Sequence, residues 1–128
     1  SYSIKLAKKS KIFDKIIVST DDNKIALIAK KYKAEVPFKR PSKLSGDKAS
    51  THAVIIHAIS WLKKNGYKPA EVCCVYPTNP LLLKQDLKNS LKILKTKKWQ
   101  YVFSATTFEY SIFRSIKNSH YFEMFEFF

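Results

Sequence analysis

Three polar clusters and two arginines hold most of the chemistry available to this chain. Ser19-Thr20-Asp21-Asp22, Tyr76-Pro77-Thr78-Asn79 and Ser104-Ala105-Thr106-Thr107 each follow a short apolar run. Of 24 basic residues only Arg40 and Arg114 are arginine. A guanidinium is always charged and offers several donors at fixed geometry, which suits an anion or an array of carbonyls. Other chemistries are poorly served. Gly46 and Gly66 are the two glycines, too few for a glycine-rich phosphate loop. No Ser/His/Asp or Cys/His arrangement marks a nucleophile. His52 and His57 are five apart and do not align as a metal pair on a helix. Cys73 and Cys74 are adjacent, so on a strand they point to opposite faces and cannot bridge each other; they read as buried, reduced thiols.

The elements that must position these residues alternate. Ser1 to Lys11 reads as an amphipathic helix, and Lys15 to Ser19 as a strand buried on both faces through Ile16, Ile17 and Val18. Thr20-Asp21-Asp22 then supplies capping chemistry for a helix with Ile25, Ile28, Ala29 and Tyr32 on one face. Ala34 to Pro37 is a short second strand, and Phe38 to Ser50 a loop. A helix from about Thr51 to Asn65 ends at Gly66, the expected place for a glycine just past a helix. Val72 to Tyr76 is a third strand, Lys84 to Lys97 a helix with Leu87, Leu91 and Leu94 in register, and Tyr101 to Ala105 a fourth strand. From Phe113 on, two short strands suggest a hairpin through Asn118 and Ser119. This alternation predicts an α/β domain with a parallel sheet and helices on both faces. Ligands of such sheets bind beyond the carboxyl ends of the strands, where the three polar clusters fall.

Composition limits the function classes. The chain has 128 residues, 45% of them hydrophobic, which suits one globular domain. No apolar run is long enough to span a membrane, and Ser1 to Lys11 lacks the pattern of a secretion signal, so a cytoplasmic location is expected. The formal charge of +14 asks for an anionic partner, yet it is spread over helix surfaces as lysine. A nucleic-acid reader leans on arginine.

Longer motifs bring a resemblance. Ile17-Val18-Ser19-Thr20-Asp21-Asp22, Ala29-Lys30-Lys31-Tyr32, Ala34-Glu35-Val36-Pro37-Phe38, Arg40-Pro41 and Leu44-Ser45 with Asp47 resemble the acylneuraminate cytidylyltransferase family in order and spacing. Tyr76-Pro77-Thr78-Asn79-Pro80-Leu81 is similar to the family's Pro-Thr-Ser-Pro turn, and Val102-Phe103-Ser104 followed by Arg114 fits the next strand and the basic residue beyond it. Sialic acid synthetases usually carry Gln where Tyr76 stands. Cys73-Cys74-Val75-Tyr76, Phe108-Glu109-Tyr110 and Met124-Phe125 look more like the pseudaminic acid branch. The 2-keto-3-deoxyoctulosonate enzymes, which share the Thr-Asp-Asp element, rank third because the Pro77-Thr78-Asn79-Pro80 turn lacks their aspartate.

The resemblance implies a Rossmann-like three-layer αβα nucleotide-diphospho-sugar transferase fold, with residues 1–128 as its incomplete central part. It implies transfer of CMP from CTP to a nine-carbon 2-keto acid sugar, pseudaminic acid first and sialic acid second, with Mg²⁺ as cofactor. Arg40, Thr51 and Asp47 would serve the nucleotide, with Asp47 organising the loop, and Tyr76 and Arg114 would face the sugar. Catalytic residues and metal ligands are not assigned. The family's phosphate-cradling loop would precede Ser1 and its metal-binding aspartates would follow Phe128, so this polypeptide alone is expected to be inactive. The resemblance predicts no nucleic-acid or membrane partner and is compatible with a homodimer. Two readings from other classes stay open: a small basic nucleic-acid-binding domain, and a non-catalytic remnant that pairs with another chain.

Overall fold

The computed structural model describes residues 1–105. Four α-helices follow one another: α1 (Tyr2–Ser10), α2 (Asn23–Lys31), α3 (Thr51–Lys64) and α4 (Lys84–Lys95), with a 3-10 turn at Ser42–Leu44. Each lies within a residue or two of its expected bounds, because local chemistry sets where it starts and stops.

Asp22 caps α2, its carboxylate accepting from the Ile25 N–H at 2.9 Å. The Ser50 hydroxyl accepts from Ala53 N at 3.2 Å and caps α3. Ahead of α4, the Asp86 carboxylate reaches back to the Leu83 N–H at 2.9 Å. Each satisfies a donor that a helix start otherwise leaves without a partner. Two of the C-termini close alike. In α2 the Ala34 N–H bonds Ala29 O and Lys33 N–H bonds Lys30 O; in α3 Tyr67 N–H bonds Leu62 O and Gly66 N–H bonds Lys63 O. This paired closure needs a left-handed residue just past the helix. Gly66 takes it at φ 82°, and Lys33 takes it at φ 59°.

Around α2 the chain makes a β-α-β unit. Ile17 pairs with Glu35 in a parallel bridge. Glu35 N–H donates to Ile16 O at 2.8 Å, and Val18 N–H donates to Glu35 O at 2.9 Å. One residue bonding to both neighbours of its partner is the parallel pattern. Ala29 and Ala34 are buried at its centre. Lys15 closes one side, with Nζ 3.2 Å from Glu35 and 4.2 Å from the Tyr67 ring centre. Elsewhere α1 packs on α4, where Ala7 and Leu87 are buried.

The expected sheet goes no further among the described residues. Val72 to Tyr76 and Tyr101 to Ala105 take no place in a ladder among the described residues. A segment becomes a strand only when a neighbouring backbone pairs with its N–H and C=O groups, and no backbone among the described residues does so here. The three-layer arrangement is therefore represented by one β-α-β unit. On the face of α2 that carries Ile25, Ile28, Ala29 and Tyr32, Ala29 is buried, while Ile25 and Ile28 are 51% and 50% exposed among the described residues. One burial expectation is corrected. Cys73 and Cys74 are exposed rather than buried. Nearby protein atoms still push both thiols above their ordinary pKa, so neither is an activated thiolate. The expected hairpin after Phe113 lies outside the described residues.

Candidate functional site

The first polar cluster follows the strand segment Ile16 to Val18, and the loop carrying Arg40 follows the other. Backbone joins them: Arg40 N–H donates to Thr20 O at 2.9 Å. The side chains are joined as well. Arg40 Nη2 lies 3.0 Å from Asp21 Oδ1, and Arg40 Nε donates to Ser45 Oγ at 3.2 Å. Ser45 in turn donates to Pro41 O at 3.0 Å, which leaves its lone pairs toward the guanidinium. The Arg40 guanidinium, followed by a backbone hydrogen bond, holds the Asp21 carboxyl below its ordinary pKa. Two neighbouring aspartates thus do different work: Asp21 pairs with Arg40, and Asp22 caps α2. Thr20 is buried and its Oγ1 accepts from Asp22 N at 3.1 Å, stiffening the turn between them.

The second grouping forms at the start of α3. Because Ser50 supplies the cap, the Thr51 hydroxyl is spare, and it lies 2.8 Å from the Tyr76 hydroxyl. The Tyr76 carbonyl accepts a long bond of 3.4 Å from Ser3 on α1. Tyr76 is 57% exposed, so it is not a core tyrosine. A residue expected to serve the nucleotide and one expected to serve the sugar therefore share a hydrogen bond, 25 positions apart in sequence.

Phe38 links these groupings. Its ring meets His57 edge-on at 4.8 Å and Trp61 at 5.5 Å, which lays α3 against the strand that leads to Arg40. A shallow depression of about 170 Å³ opens beside Phe38, lined also by Thr20, Asp21, Asp22, Lys30 and Lys39. Two carboxylates and two ammonium groups balance its charge. His57 Nδ1 and Ser19 Oγ are buried without a hydrogen-bond partner among the described residues.

Of the residues expected at the site, Thr51 and Tyr76 share a hydrogen bond, while Arg40 lies in a separate grouping with Asp21 and Ser45. Asp47 makes no side-chain hydrogen bond among the described residues, so the loop-organising work expected of it falls to Ser45. Ser45 and Asp21 are the residues that reading undervalued. Their signal was present in the Thr-Asp-Asp and Leu44-Ser45 motifs, but only the folded loop shows that both meet one guanidinium. Arg114 and the Thr106-Thr107 half of the third cluster lie outside the described residues. No three His, Cys, Asp or Glu side chains converge to hold a metal among the described residues.

The chain belongs to the cytidylyltransferase family: the family's sequence model, described as Cytidylyltransferase, matches residues 1–122. It is 43% identical over 115 residues to the Pseudaminic acid cytidylyltransferase of Campylobacter jejuni, covering 90% of this chain and 50% of that protein. It is 34% identical over 116 residues to the Pseudaminic acid cytidylyltransferase and UDP-2,4-diacetamido-2,4,6-trideoxy-beta-L-altropyranose hydrolase of Helicobacter pylori, covering 90% of this chain and 22% of that protein. Identity to the N-acylneuraminate cytidylyltransferase of Escherichia coli is 34% over 108 residues, or 83% of this chain and 24% of the relative. The chain spans half or less of the length of these relatives.

Proposed function

We propose that this chain carries nucleotide- and sugar-facing residues of an enzyme that transfers CMP from CTP to a nine-carbon 2-keto acid sugar, pseudaminic acid first, in cell-surface glycan biosynthesis. The observation that supports the reading is the Thr51–Tyr76 hydrogen bond, between a residue expected to serve the nucleotide and one expected to serve the sugar. The names of the Campylobacter and Helicobacter relatives support the choice of sugar.

In the reaction the sugar's anomeric hydroxyl attacks the α-phosphorus. The new O–P bond forms as the α–β bridging P–O bond breaks, and pyrophosphate leaves with the electron pair while the hydroxyl proton passes to a base. Such transfers depend chiefly on positioning and on donors fixed in advance around developing charge. In this part of the protein Arg40 would hold the nucleoside end, Thr51 would contribute at the start of α3, and Tyr76 would orient the sugar. The start of α3 suits an anion, because its first N–H groups point outward and the helix dipole is positive there. The rest of the proposal is a Rossmann-like three-layer fold completed beyond the described residues, and a cytoplasmic enzyme. No described helix is long and apolar enough to cross a membrane.

The test is calorimetric titration of CTP into the longest native form of the protein, followed by pyrophosphate release with pseudaminic acid or N-acetylneuraminic acid as acceptor. Binding of CTP over ATP and faster turnover with pseudaminic acid are expected. Preference for N-acetylneuraminic acid would move the assignment to the sialic acid branch, and failure to bind CTP would overturn it.

A further inference from the structure

We propose that the outer face of α4 docks the protein on an anionic lipid surface through Lys84, Lys88, Lys92 and Lys95. This does not rest on the CTP reading, and it departs from the expectation, drawn from the resemblance, of no membrane partner.

The four lysines recur at steps of four, four and three residues. On an α-helix such steps fall within an arc of about 80° and form a straight row about 16 Å long. All four are exposed, and none is in an ion pair among the described residues. The flank beside them is neutral, with Gln85 Nε2 donating to Asn89 Oδ1 at 2.9 Å. Asp86, the one acid of the helix, stands about 160° around from the middle of the row. Its carboxylate accepts from the Leu83 N–H. Leu87 is buried where α4 packs on α1, and that packing leaves the row to solvent.

The row works against the helix that carries it. Like charges three or four residues apart repel, and this holds for Lys84 with Lys88, Lys88 with Lys92, and Lys92 with Lys95. Lys84 also stands in the first turn, where the helix dipole disfavours a cation. By contrast α3, although longer, carries only Lys63 and Lys64, both in its last turn, where a cation suits the dipole. An anionic surface laid against α4 would replace these repulsions with attraction.

A bilayer fits the row better than other anionic partners. Lysine is a flexible, hydrated point charge, which suits a diffuse layer of headgroups more than the fixed geometry of bases and phosphates. Apolar side chains stand exposed at both ends of the helix, Leu81 at 85% and Leu83 at 60% before it and Trp99 at 62% beyond it. Leucine gains from contact with acyl chains, and tryptophan favours the headgroup level. A nucleic acid offers stacking to an aromatic ring but nothing comparable to a leucine. A second copy of the chain would bring the same positive face and be repelled.

Each lysine near such a surface is worth about fivefold in affinity, so four give a reversible contact. The test is cosedimentation of the longest native form of the protein with vesicles of phosphatidylcholine, with and without phosphatidylglycerol. Wild type should bind only the vesicles that contain phosphatidylglycerol, and leave them at high salt. Lys84→Gln, Lys88→Gln, Lys92→Gln and Lys95→Gln together should weaken binding at least about tenfold. A charge-matched variant on other exposed positions, Lys31→Gln, Lys63→Gln, Lys64→Gln and Lys68→Gln, should weaken it less than about threefold. Far-UV circular dichroism checks folding, and should the fourfold row variant fail to fold, Lys84→Gln with Lys88→Gln carries the same comparison. Absence of binding by the wild type, or equal losses in the two variants, would overturn the proposal. So would tighter binding to a single-stranded oligonucleotide with the same dependence on the row, which would assign this face to nucleic acid.

Discussion

Two stretches of this chain have similar sequence patterns and different outcomes. Ile16 to Val18 and Val72 to Tyr76 are both short apolar runs followed by a polar cluster. The first is bonded on one edge to Glu35. The second pairs with no strand among the described residues, and Val72 is 49% exposed. The difference does not lie in strand propensity, since both are rich in β-branched or aromatic residues. The first run has its partner close in sequence, brought back by α2 in a single crossover, whereas the second needs a neighbour from farther away. A parallel strand depends on such a neighbour for every backbone bond it makes.

Substitutions can probe that contrast, beginning where the largest change is expected. Leu87→Ala removes the buried side chain of α4 where it meets α1, and should lower unfolding free energy by about 2–4 kcal/mol in urea. A loss under about 1 kcal/mol would mean that the contact is loosely packed. Asp22→Ala deletes the cap of α2 and should cost about 1 kcal/mol, weakening the crossover that delivers Glu35 to Ile17. Lys33→Gly relieves a left-handed residue in the closure of the same helix and should raise stability by about 0.5–1 kcal/mol. Val72→Thr should stay within about 0.5 kcal/mol of wild type if the segment is as uncovered as it is here. A loss beyond about 1 kcal/mol would reveal a covering partner and erase the contrast between the two runs.

Acidity gives a further test of the first region. Asp21 has a folded pKa below its ordinary value of 3.8, so its contribution is present above that value and is lost as pH falls through the lower, folded one. Lys15 behaves oppositely. Its hydrogen bond to Glu35, and then that to Tyr67, raise its pKa above 10.5. That contribution holds below 10.5 and fades as pH rises through the folded value. Asp21→Asn should therefore flatten the acid limb of a stability–pH curve and leave the alkaline limb unchanged. A variant curve that parallels wild type below pH 3.8 would show that the Arg40 pair contributes nothing to stability.

Much of this was legible from residue order. The helix ends were, because Asp22, Ser50 and Gly66 act on backbone groups within four positions of themselves. The β-α-β unit was, because its crossover is one helix long. Arg40 stood out by chemistry, as one of two arginines among 24 basic residues. Other features were not legible. Periodicity put Ile25, Ile28 and Ala29 on one face of α2 without saying which of them is covered, and only Ala29 of the three is buried. Buried thiols at Cys73 and Cys74 assumed a flanked strand.

The sequence by itself therefore determined where helices begin and end, which apolar runs could pair, and which family the motifs resemble, since each rests on short-range backbone chemistry or on residue order. Only the tertiary structure decided that Asp21 and Ser45 hold one guanidinium and that the Thr51 hydroxyl meets Tyr76. Those contacts join residues 5, 19 and 25 positions apart, and hydrogen bonds of about 3 Å follow from where the backbone places both partners, which no local pattern specifies.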